Sequence, residues 1–183
     1  MTTLTDFSPE DLAILNRTPT TVAMAAAYAD HGGAFSLAKE LRAGLTAARE
    51  AAFAFPDNEV IQLLAASMQE IEEADESGNG ENEALAEDET EDIVEERSPS
   101  RSREASLELA AHSMAIMQAT ATLEEFVQFK HWLFAIADQV TLATKSGGFL
   151  GIGGTQVGEG ERAYLEELRE VLQMPDDDEA TEE

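Results

Sequence analysis

Three histidines, His31, His112 and His131, are the side chains whose ordinary titration lies near neutral pH, and the chain has no cysteine. Imidazole works as a general acid, base or metal ligand when a second group converges on it. These three stand far apart in the sequence, and none belongs to an H-E-x-x-H pattern. His112 and Ser113 are helix neighbours that do not face each other. The histidines read as one loop residue and two helix-surface residues, and no catalytic residue is expected. A nucleophile elbow, G-x-S-x-G, and a phosphate-cradling G-x-x-x-x-G-K-[ST] are both absent from the sequence.

The segment Gly148-Phe149-Leu150-Gly151-Ile152-Gly153-Gly154 has the glycine density of a dinucleotide loop. Such a loop needs a preceding strand inside a βαβ unit, and here the preceding pattern is helical. No cofactor is therefore expected. Phe149, Leu150 and Ile152 remain unusual as apolar residues in a connection that belongs at the surface. Either they fold back and plug the end of the bundle, or they form an exposed contact, and they are the candidate partner-contact residues. No segment matches an EF-hand. Asp30, Glu40, Asp138, Glu159 and Glu161 lie near the two glycine turns, but most such acids are simply solvated or helix-starting, and no metal ligand is assigned.

The elements that would position these groups are separated by charge. Fourteen acids and no base lie between Glu70 and Glu96, and six more acids lie in Asp176–Glu183. The rest of the chain carries eighteen acids against all eleven bases, an ordinary balance for a soluble domain. The few lysines and many alanines are also compatible with a high-salt cytoplasm. The pattern divides the chain into an N-terminal helical half at 1–73, a disordered acidic linker at 74–103, a C-terminal helical half at 104–175 packing on the first, and an acidic tail at 176–183. Dense like charge with few apolar anchors cannot offset the entropy of ordering. The absence of a basic stripe argues against direct nucleic-acid binding. No apolar run reaches transmembrane length, and the first residues lack a signal-peptide pattern. A cytoplasmic location, a protein partner and no membrane contact are expected.

The remaining punctuation is helical. Ser8-Pro9 and Thr18-Pro19 read as two successive helix starts. Ser36 and Asp57 read as further caps, and Thr122 with Glu125 as a capping box. Leu107, Leu109, Ala110, Met114 and Met117 suit a helix from about Glu104 to Thr120. Phe126, Phe129, Leu133, Ile136 and Val140, with Trp132 beside them, recur every three or four residues and are the predicted core. Leu165, Leu168, Val171 and Leu172 form one face of a last helix at about 160–173. No alternating stretch argues for a sheet. The fold expected is all-α, a bundle of five to seven helices.

Residues 134–172 hold an Ala-rich helix, a glycine turn, and then Val157, Glu159, Glu161, Arg162, Leu165, Glu167 and Leu168 in a V-x-E-x-E-R-x-x-L-x-E-L pattern. This stretch resembles the TerB-like helical domain of tellurite resistance. The resemblance implies an all-helical, internally pseudo-repeated domain with metal-binding acids and a link to stress response. The Asp-Gly usual at the turn is Gly153-Gly154 here, so the metal ligands do not carry over. The function expected is a non-catalytic protein-interaction module. The alternatives are an acidic binder of a basic protein, mimicking nucleic acid, and a metal-binding helical domain.

Overall fold

Each helix start that is locally encoded can be traced to a side chain satisfying the unpaired amides of a first turn. The computed structural model describes residues 2–29, 46, 48–67, 99–146 and 158–175. Among these residues every regular element is helical and none is a strand. A short 3-10 turn at Leu4–Asp6 leads into helix α1, Pro9–Tyr28. Helical residues 48–52 form α2 and 59–67 form α3. Then follow α4, Pro99–Thr120; α5, Leu123–Ser146; and α6, Glu159–Val171. α1 packs on α4 and α5, and α6 closes against all three.

At Ser8 the expected cap is present. The Asp11 amide donates to Ser8 Oγ at 3.1 Å, and the Ser8 amide donates back to the Asp11 carboxylate at 3.2 Å. Thr18-Pro19, in contrast, does not open a second helix: α1 runs through it. An interior proline removes one helix bond and crowds the preceding turn, at about 3 kcal/mol. Here Leu15, Thr18, Pro19, Val22, Ala23 and Ala26 form one buried face, whose burial offsets that cost. Thr18 Oγ1 lies 2.8 Å from the Ile14 carbonyl, as a donor, and 2.7 Å from Ser113 Oγ of α4.

The next correction is at Asp57. Its neighbour Asn58 is the cap, accepting the Ile61 amide at 3.2 Å, and α2 has already ended before Pro56. Helix α4 also begins at Pro99 rather than near Glu104, so residues 99–103, read from the sequence as the end of the linker, are helical. Proline is pre-organised for a first turn, and Arg103 pairs with Glu167 of α6 at 2.6 Å. The glycine stops at 32–33 and 147–148, the Ser36 cap, most of the acidic linker (74–98) and the tail at 176–183 lie outside the described residues.

The core is centred on α5. Phe129, Trp132, Leu133, Ile136 and Val140 are fully buried. Phe126, expected among them, is only partly buried and lies under the Lys130 ammonium, 5.5 Å from its ring centre. Trp132 sets the tertiary register: its indole N–H donates to the Ala48 carbonyl at 3.0 Å, and its ring meets Phe129 at 6.1 Å, tilted by 51°. On α6 and its C-cap, Tyr164, Leu168 and Leu172 are fully buried, with Leu165 and Val171 at the edge. No helix among the described residues is long and apolar enough to cross a membrane.

Candidate functional site

Glu125, in the first turn of α5, gathers four hydrogen bonds on its carboxylate. The Thr122 amide and hydroxyl reach its Oε2 at 3.0 and 2.7 Å, completing the capping box that the sequence suggests. Thr2, 123 residues away, adds its amide to Oε1 at 2.8 Å and its hydroxyl to Oε2 at 2.6 Å. Thr2 and Glu125 are 5% and 7% exposed. Burial alone would raise the carboxyl, but the hydrogen bonds from Thr2 and Thr122 outweigh it and hold the pKa at about 2, below its ordinary 4.5. With its lone pairs so occupied, this carboxylate pins the chain's first residues to α5 and is poorly placed to accept a substrate proton.

Asn58 binds the neighbouring corner to the same place. Its Nδ2 donates to the Glu125 carbonyl at 3.2 Å and to Gln128 Oε1 at 3.0 Å. Gln62 braces the corner from behind, donating to the Ala52 and Phe55 carbonyls at 2.8 and 3.1 Å. The 53–57 corner is thus held beside the first two turns of α5, where large apolar side chains face outward. Phe53 is 77% exposed, Leu123 78% and Val127 40%. Leu123 and Val127 are four residues apart and share a helix face. That face is opposite the buried Phe129–Trp132–Ile136 side. His131 continues the same stripe one turn on and is exposed. Leu142, also exposed, lies about 28 Å from Leu123 along α5 at 1.5 Å per residue and belongs to another part of the surface.

A second polar cluster lies inside. Tyr164 Oη is 2.6 Å from Ser106 Oγ and 3.3 Å from the Val22 carbonyl, so one phenol ties α6 to α4 and α1. Burial drives its pKa well above the ordinary 10, while Ser106 and the charge of Arg103 oppose that only in part. A phenol held neutral and bonded in this way is a structural strut.

Phe149, Leu150 and Ile152, the candidate contact residues from the sequence, lie outside the described residues, as do His31, Asp30 and Glu40. His112 and His131 are exposed on different helices. Glu161 is buried and accepts the Gly158 amide at 3.1 Å, a helix-starting role, and Glu159 is exposed. Among the described residues, no three His, Asp or Glu side chains stand close enough to hold a metal ion. The exposed trio Phe53, Leu123 and Val127 was missed by sequence reasoning. The available signal was Leu123 and Val127 falling outside the core stripe of α5; nothing in the sequence marked Phe53 as exposed. No protein-family model matches the chain, and comparison with curated proteins and with solved structures finds no relative.

Proposed function

We propose that this chain is a non-catalytic helical protein-interaction module acting in the cytoplasm. The observation that carries the reading is the exposed apolar pair Leu123 and Val127 on the outer face of α5, whose first turns Glu125 and Asn58 anchor to the rest of the bundle. Exposed aromatic and aliphatic side chains on a fixed frame are what a partner helix or loop uses as anchors. The engagement of Glu125, Asn58, Tyr164 and Glu161 in internal bonds supports a structural use of the polar residues rather than a catalytic one. A link to stress response rests on the resemblance of residues 134–172 alone.

Photo-crosslinking in the native cytoplasm tests this, with the crosslinking residue placed at Val127 and, separately, at Phe149. A discrete protein product at Val127 that disappears on Leu123→Ser supports the module and this surface. A product at Phe149 only moves the contact to the glycine loop. No discrete product at either position overturns the reading.

The acidic run from Glu70 to Glu96 favours a second reading, a binder of a basic protein that mimics nucleic acid. Neutralising those carboxylates in the full chain distinguishes the two: capture is lost under the second reading and kept under the first.

A further inference from the structure

We draw no further inference here: the strongest candidate, the exposed apolar pair Leu123 and Val127 on the outer face of α5, is the surface on which the proposed function already rests, and nothing in the structure shows what covers it.

Discussion

Glu125 and Tyr164 are both buried in the same bundle, and burial pushes both toward their neutral forms, yet only the phenol shifts that way: the carboxyl pKa falls and the phenol pKa rises. The difference is the number and kind of partners. Four donors from Thr2 and Thr122 converge on the carboxylate and favour its charge. The phenol meets a hydroxyl and a carbonyl, a pairing that the neutral O–H satisfies and a phenolate would not. Desolvation alone therefore does not predict which groups stay ionised in a core; the donors aimed at them do.

The largest effect is expected at Glu125. Its folded pKa, about 2, lies below the ordinary 4.5, so its stabilisation is fully present above pH 4.5 and is lost as pH falls through 2. The span corresponds to about 3 kcal/mol. Glu125→Gln should lose roughly that amount at pH 7 in urea unfolding, and its stability should converge on the wild type's as pH drops from 4.5 toward 2. A gap that does not change with pH would mean that the side chain matters for packing and not for charge.

Tyr164→Phe removes the other cluster's hydroxyl and leaves Ser106 Oγ without its partner. A loss of about 1–2 kcal/mol is expected. Because the folded phenol is raised above 10, its contribution is present below pH 10 and lost as pH rises beyond it. Wild type should therefore weaken on the alkaline side more steeply than the phenylalanine variant. Parallel alkaline curves would break the contrast with Glu125.

Gln173 offers a smaller gain. It ends α6 at φ 51°, in the left-handed region. The Met174 amide bonds the Arg169 carbonyl at 3.1 Å and the Gln173 amide bonds the Glu170 carbonyl at 3.0 Å, the Schellman pattern. Glycine is the residue suited to this position, so Gln173→Gly should stabilise by about 1 kcal/mol. Its bond to Lys130 uses the backbone carbonyl and survives the change. A loss of stability would show that the glutamine side chain contributes more than its backbone strain removes.

The smallest effect is expected where the molecule is exposed. Leu123→Ser, two residues from Glu125 but facing solvent, should change stability by no more than about half a kcal/mol. A larger loss would mean that the residue is covered in solution, which would remove it as a contact surface.

Where partners stand within one helical turn, the sequence was sufficient. The Ser8 cap, the Thr122–Glu125 box, the apolar step from Phe129 to Val140, and the helical character of the described elements follow from spacing, because a helix start needs an acceptor for its first amides and a buried face needs a period near 3.6. Tertiary structure decided what depends on distant neighbours. Pro19 became interior because α1 has a continuous face to bury against α4 and α5. Asn58 displaced Asp57 as a cap because its amide also reaches Glu125 and Gln128 on α5, which a carboxylate could not do as a donor. Tyr164 became a strut and Phe126 a half-covered edge through the placement of α4, α1 and Lys130. The exposure of Phe53, beside a buried Ala51 and Ala52, was likewise decided by how the corner docks. Local hydrogen bonds and periodicity are written along the chain, whereas burial and convergence depend on which residues meet across it.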